Sequence, residues 1–298
     1  MSKVCSAVVL NYKDYESTLT CLSYLKACPS IDYIIVVDNN SPNESAQVLA
    51  QAAQEDPSRI FFIQTAHNGG YGAGNNAGVR FSIEKLKTDF ALIINPDVEI
   101  EEDAIVKMLQ ALEEDNRLAL VAPQVEDTSA DPLSHQGWKV PRFTDELRFM
   151  YSLSIKLFGD PTVYKNPPKG ENKIYVECVS GACLMLKTDI FSRIGMYDER
   201  VFLFNEESIL GFKLKEINAR SAILTNARYV HAHSVSINKV MNLEKKILER
   251  NRSRDIYVYH YLKPNKAQLI LYKLLKKLSF IDRKLLLLKR VLVNKDRL

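Results

Sequence analysis

Disulfide chemistry, zinc-finger spacing and membrane-spanning runs are all missing from this sequence. The five cysteines (Cys5, Cys21, Cys28, Cys178 and Cys183) are odd in number and contain no C-x-x-C pair. That argues against a disulfide framework and against a structural zinc site. No run approaches the ~18 uninterrupted apolar residues that a membrane helix needs. In the opening MSKVCSAVVLNYKDYES, charge and turn residues return by Lys13 and Asp14, unlike the apolar core and cleavage site of a signal peptide. Internal repeats and low-complexity tracts are absent, and Trp138 is the one tryptophan. These absences predict a reduced, cytosolic-facing globular protein.

What is present fits that class. Apolar residues make up 46% of 298, enough for a substantial core, and 26% charged residues exclude wholesale disorder. The net charge of +4 conceals an asymmetry. From Lys263 onward there are eleven Lys or Arg against Asp282 and Asp296, whereas the first 262 residues hold 29 basic and 34 acidic residues. A mildly acidic body is poorly suited to gripping a nucleic acid, and the basic end suits an anionic surface.

Strand and helix patterns alternate along the first third. CSAVVLNY, YIIVVD, RIFFIQT and FALIINPD read as strands. YESTLTCLSYLKA, ESAQVLAQAAQ (with the Ser and Asn of NNSPN as N-caps), a stretch from about Asn75 to Lys87, and EEDAIVKMLQALEED read as helices. The alternation predicts an α/β fold, a mostly parallel sheet with helices on both faces. Pro123–Pro141 reads as a loop or hairpin excursion and Asn166–Gly170 as a turn. VECVSGACLML reads as a strand pair broken at Gly181, followed by a helix from about Glu206 to Asn218, a short strand near Ala222, and YVHAHS.

Ligands of open parallel sheets bind at the carboxyl ends of the strands. Here four strands in succession end in polar residues: Asn11-Tyr12, Asp38-Asn39-Asn40, His67-Asn68 and Asn95-Pro96-Asp97. They predict one polar rim. Gly72-Ala73-Gly74-Asn75-Asn76-Ala77 fits the dinucleotide fingerprint G-x-G-x-x-G/A, with Asp97 downstream, so a nicotinamide dehydrogenase is one reading. The segment follows the third strand rather than the first, and a flexible turn before a helix is the other reading.

Near the C-terminus Ala267, Leu271, Leu274, Leu278, Ile281, Leu285, Leu288 and Leu292 recur at steps of four and three. That spacing lays an apolar stripe along one helix, or along two broken near Ser279. Lysines and arginines border it, as in a helix that binds a membrane interface. A helix packing on the body or on a second copy in a homodimer is the alternative.

Taken in order, VVLNY, VVDNNS, HNGGYGAGNNAG, NPDVEI, Gly181-Ala182-Cys183, FNEE and VHAHS resemble the family 2 inverting glycosyltransferases. The likeness covers about residues 3–236 and is greatest to the rhamnosyltransferase-like branch of bacterial surface-polysaccharide biosynthesis. It implies a GT-A fold over 1–262, with a nucleotide-sugar-binding half (1–122) and an acceptor and catalytic half (123–262). The basic amphipathic segment is then 263–298.

The resemblance also implies roles. Asn11 and Tyr12 line the nucleotide pocket, with Asn40 nearby, and Asp38 bonds the base or ribose. Asn68, Gly72, Gly74 and Asn75 lie near the ribose and diphosphate. Asn95 and Asp97 stand at the family's Asp-x-Asp element, where Asp97 is the ligand of a divalent metal, Mg²⁺ or Mn²⁺; helix capping is its structural alternative. Glu206-Glu207 stand at the catalytic acid pair, Glu207 as base and Glu206 orienting, with Ile209 where the family commonly has another acid. Favouring a helix N-terminus is the other account of the two glutamates. Of His231 and His233, His231 approaches the diphosphate or metal. Trp138 stacks on an acceptor sugar or serves the core.

The implied partners are a UDP- or dTDP-sugar, a glycan or lipid-linked glycan, and an anionic membrane met through 266–293. The implied location is cytoplasmic, peripheral at the inner face of the cell membrane. A catalytically silent nucleotide-sugar-binding assembly partner is the remaining alternative, because NPD and Glu-Glu depart from the family's commoner motifs.

Overall fold

The structure is a computed structural model and describes residues 3–126, 133, 136–165, 170–231 and 243–279. Its elements begin with β1 (Cys5–Asn11), α1 (Tyr15–Lys26), β2 (Tyr33–Asp38), α2 (Ser45–Ala53), β3 (Ile60–Gln64), α3 (Tyr71–Phe81) and β4 (Phe90–Ile94). Next come β5 (Val98–Ile100), α4 (Glu102–Glu114), β6 (Leu118–Val125), β7 (Gly137–Trp138), α5 (Phe143–Phe149) and α6 (Ser152–Phe158). The rest are β8 (Lys173–Val176), β9 (Cys178–Val179), β10 (Cys183–Lys187), α7 (Thr188–Arg193), α8 (Glu206–Glu216), β11 (Arg220–His231) and α9 (Leu243–Tyr257).

Two compact units result, one of Met1–Val140 with Tyr164–Ser253 and one of Pro141–Val163 with Arg254–Leu298. The division falls at Arg254 rather than at Lys263, and a piece from the middle of the chain joins the C-terminal residues.

In the first unit nine strands form one sheet in the order β3-β2-β1-β4-β10-β6-β11-β5, with β8 also paired to β11, and β7 and β9 form a second, two-stranded sheet. β1, β2, β3 and β4 pair in parallel, as do β6 and β11; β10 runs antiparallel between β4 and β6. The sheet is buried on both faces, which is why its central strands are almost wholly apolar in sequence. The period-2 alternation assigns side chains to two cores. Val9, Ile34, Val36 and Leu92 join Leu22, Leu49 and Ile105 on one face. Val8, Ile35, Val37 and Ile93 join Val79, Phe191 and Leu210 on the other.

Several expectations change. α2 starts at Ser45 with Glu44 as N-cap and no bond from the Glu44 side chain; Asn43, one residue further out, accepts from the Ser45 N–H through Oδ1 at 3.4 Å. β6 runs through Pro123 to Val125, where a loop was expected. β9 and β10, read as one strand pair, belong to different sheets, because β9 pairs with β7 while β10 pairs with β4 and β6. The short strand near Ala222 and the following YVH are one strand, β11, with a register shift between Leu224 and Arg228. Past that irregularity Tyr229–His231 pairs with β5. Residues 166–169 of the expected turn lie outside the described residues.

The second unit has its own small core of Met150, Val258 and Tyr272, with Phe143, Leu147 and Leu275 against it. A buried ion pair joins Arg254 to Glu146 at 3.0 Å. Residues 266–279 are helical; 280–293 of the expected stripe lie outside the described residues.

Candidate active site

At the carboxyl ends of β1, β2 and β3 the rim is held together by its own side chains. Asn11 and Asp38 are wholly buried. Asn11 Nδ2 donates to Asp38 Oδ1 at 2.7 Å, and the Ser41 N–H donates to Asp38 Oδ2 at 2.9 Å. Asn11 Oδ1 accepts from the Thr18 hydroxyl at 3.0 Å. Both oxygens of Asp38, expected to bond a base or ribose, are thus engaged within the protein, and the residue fixes the loop that follows β2. Asn40 in that loop is exposed with a left-handed backbone (φ 55). Tyr12 is half-buried, with Lys13 Nζ 5.1 Å from its ring centroid. The Asn68 side-chain oxygen accepts from Asn39 Nδ2 and from the Gly70 N–H, both at 3.0 Å.

The glycine segment is not a loop. α3 begins at Tyr71, four residues before the expected start, so Gly72, Gly74 and Asn75 are helical and buried. A Cβ on Gly72 would stand 2.9 Å from Tyr197 Cβ, and one on Gly74 would overlap Leu10 Cδ1. These glycines let the helix approach a loop and a strand closely. The turn itself is made by Gly70, at φ 90 and packed on the Phe202 carbonyl, a conformation only glycine adopts without strain. Asn75 Nδ2 caps the Tyr71 carbonyl at 3.1 Å, while its Oδ1 is buried without a partner.

β4 is followed by Asn95, whose N–H donates to the Ala182 carbonyl at 2.8 Å. β5 pairs with the end of β11, matching Val98 to His231. That pairing brings His231 Nε2 to 3.3 Å from Asp97 Oδ1. A carboxylate oxygen and an imidazole nitrogen suit Mn²⁺, and Mg²⁺ is commonly held by one or two carboxylates with substrate phosphates supplying the rest. Among the described residues no group of three His, Cys, Asp or Glu converges, so a metal here would draw most of its ligands from substrate and water. His233 lies outside the described residues.

Glu206 and Glu207 open α8, behind Phe204 and Asn205 in left-handed conformations. Burial pushes both carboxyls up from their ordinary range. The neighbouring Glu207 charge adds to the effect on Glu206, and hydrogen bonds from the Glu207 and Gly181 N–H groups oppose it on Glu207. The Gly181 N–H meets Glu207 Oε1 at 3.3 Å, and Tyr71 Oη donates to the Gly181 carbonyl at 2.6 Å. Burial raises the Tyr71 phenol, so it stays a donor. Tyr71 thus steadies, through one peptide group, the carboxylate at the base position. Sequence reading missed this contact because its partners are remote along the chain. Glu206 is more deeply buried, and its Oε1 has no partner. Half-buried Trp138 donates from Nε1 to Ser208 Oγ at 3.3 Å, which sets the indole beside the same helix end.

Comparison with known proteins gives the family and the fold. The family model described as glycosyl transferase family 2 matches residues 6–165, more than half of the chain. The low-salt glycan biosynthesis hexosyltransferase Agl10 of Haloferax volcanii is 26% identical over 213 residues, 72% of this chain and 62% of that protein. The N-acetylglucosaminyl-diphospho-decaprenol L-rhamnosyltransferase of Mycobacterium tuberculosis is 23% identical over 210 residues, 67% of each. Among solved structures, GalNAc-T7 with UDP, GalNAc and Mn²⁺ superposes with a TM-score of 0.62 at 11% identity. It covers 77% of this chain and 44% of the other. The last likeness is one of fold, and that fold is GT-A. The nicotinamide reading falls here, since its fingerprint is the packing face of α3. The family match settles the assignment: this chain belongs to glycosyl transferase family 2.

Proposed function

We propose that the protein transfers a hexose, rhamnose being one such sugar, from a UDP- or dTDP-sugar to a lipid-linked or growing surface glycan, with inversion at the anomeric carbon. The observation that carries this is the buried carboxylate pair at the start of α8, with Glu207 held by the Gly181 N–H. In the reaction Glu207 takes the proton of the acceptor hydroxyl as its oxygen bonds to the anomeric carbon. The bond from that carbon to the diphosphate breaks on the opposite face, and the nucleoside diphosphate departs with the electron pair. A raised carboxyl accepts that proton more readily than an ordinary one. Glu206, without room to move, backs Glu207 and keeps its orientation.

Asp97 and His231 would hold a divalent cation, which when bound neutralises charge on the departing diphosphate. The chemistry of that donor pair fits such an ion, and GalNAc-T7 was solved with Mn²⁺. Asn11, Asp38, Asn39 and Asn68 preform the rim that receives the nucleoside, with Tyr12 and Asn40 offering accessible contacts. Trp138 offers its ring to an acceptor sugar. The names of the two relatives support a hexose donor and a lipid-diphosphate acceptor. The attachment of residues 266–293 to an anionic membrane belongs to the same reading.

The test is release of nucleoside diphosphate from a panel of nucleotide sugars, with Mn²⁺ present, by the native chain and by Glu207→Gln. We expect turnover with one donor class and a loss of about 10²–10⁴ in the variant with donor affinity unchanged. Equal rates for the two proteins would remove Glu207 from the mechanism, and no turnover on any donor would favour the silent binding partner.

A further inference from the structure

Nine of the thirteen large apolar residues exposed among the described residues belong to the second unit, although it is much the smaller. Seven of the nine fall on two separate elements. In the helix 266–279, Ile270, Leu274 and Leu278 are exposed, Ile270 at 68%, while Tyr272 and Ser279 are buried on the other side. At 3.6 residues per turn the outward side chains form a stripe, and Lys266, Lys273 and Lys277 line one border of it. On α6, more than a hundred residues earlier in the chain, Leu153, Leu157 and Phe158 are 62%, 67% and 75% exposed beside exposed Lys156. The two elements are tied together: Tyr151 Oη, at the start of α6, donates to the Leu275 carbonyl at 2.7 Å.

We propose that α6 and the helix 266–279 form one bipartite docking surface for an anionic lipid bilayer. The inference deepens the membrane reading given above and rests on it, adding a second contact that the C-terminal stripe alone did not foretell. Charge selects the occupant. Residues 263–279 hold five lysines and no Asp or Glu, and among the described residues only Lys276 of the five is paired with an acid, Asp255. Two copies meeting through this face would oppose lysine to lysine, whereas anionic headgroups complement it. Leucines and a phenylalanine flanked by lysines are the composition of an interfacial binder, with apolar tips in the acyl boundary and ammonium groups among the phosphates. A lipid-linked acceptor would be met at that boundary.

The experiment is cosedimentation of the full chain with phosphatidylglycerol-containing and with pure phosphatidylcholine vesicles at low salt. Two variants are compared with it, Leu153→Gln/Leu157→Gln/Phe158→Gln and Ile270→Gln/Leu274→Gln/Leu278→Gln. All six side chains are exposed, so melting temperature and donor turnover should stay at native values, which checks the fold. The native chain should bind anionic vesicles only, and each variant should lose at least tenfold in partitioning. Binding by the α6 variant equal to native overturns the bipartite surface while leaving the C-terminal contact standing. No binding by the native chain overturns both. If light scattering shows the α6 variant breaking up a dimer, the face belongs to a second copy and the proposal fails. Vesicle binding that needs both helices in a protein without glycosyl transfer would sustain the surface and remove only the catalytic reading.

Discussion

Glu206 and Glu207 stand side by side at a helix start that favours negative charge, inside surroundings that oppose it. Burial wins at both. For Glu207 the raised carboxyl places the acid limb of the rate profile above that of a free glutamate, and activity should fall as pH drops through that raised value. For Glu206 the same burial bears on stability. A carboxyl raised in the folded state contributes stability below its unfolded value of about 4.3 and loses it as pH climbs through the folded one. Glu206→Gln removes the ionisation, so this variant should melt a few degrees above native near pH 8 and level with it near pH 4. A pH-independent difference between the two melting curves would contradict that account. Asp97→Ala tests the other end of the site. Stabilisation of a leaving group by a metal is worth several kcal/mol, so turnover should fall at least a hundredfold with the melting temperature held. Near-native turnover would detach Asp97 from the chemistry.

Among the elements, α3 shows how one string of residues carries two readings. Gly-Ala-Gly-Asn-Asn-Ala is a phosphate loop when it ends a first strand and a packing face when it lies within a helix. The choice depends on what stands opposite, here Leu10 of β1 and Tyr197. Side chains added at such a contact overpack it and cost about 1–3 kcal/mol. Gly74→Val should therefore lower thermal stability by that amount, while the folded fraction keeps native donor affinity. A selective loss of donor affinity without destabilisation would return the glycine to the diphosphate. β11 makes a similar point. With its irregularity after Leu224, one strand keeps its pairing to β6 while exchanging β8 for β5, and that is what carries His231 to Asp97.

For the whole molecule, a ligand bound only by the folded state raises its stability by an amount set by concentration over Kd, about 2.7 kcal/mol at a hundredfold excess. A UDP- or dTDP-sugar with Mn²⁺ should shift the melting temperature upward by several degrees, and NADH should not. A shift with NADH alone would reopen the dehydrogenase reading that the family match closed.

The sequence by itself determined the alternation of strands and helices, because strands buried on both faces must be written as apolar runs and helices as amphipathic ones. It also determined the polar rim, since Asn11 and Asp38 follow an apolar run directly and Asn68 and Asp97 come a few residues after one. The order of short motifs carried the family. Tertiary structure alone decided which of these residues meet. The bond of Tyr71 to Gly181, the approach of Gly181 to Glu207 and the pairing of Asp97 with His231 join segments far apart in the chain. No local window contains both partners of any of them. The division into units was hidden for the same reason. Met150 and Tyr272 share a core only after the chain has returned from the Tyr164–Ser253 part of the first unit, and hydrophobic burial, being non-directional, leaves no mark in either segment of which partner it will find.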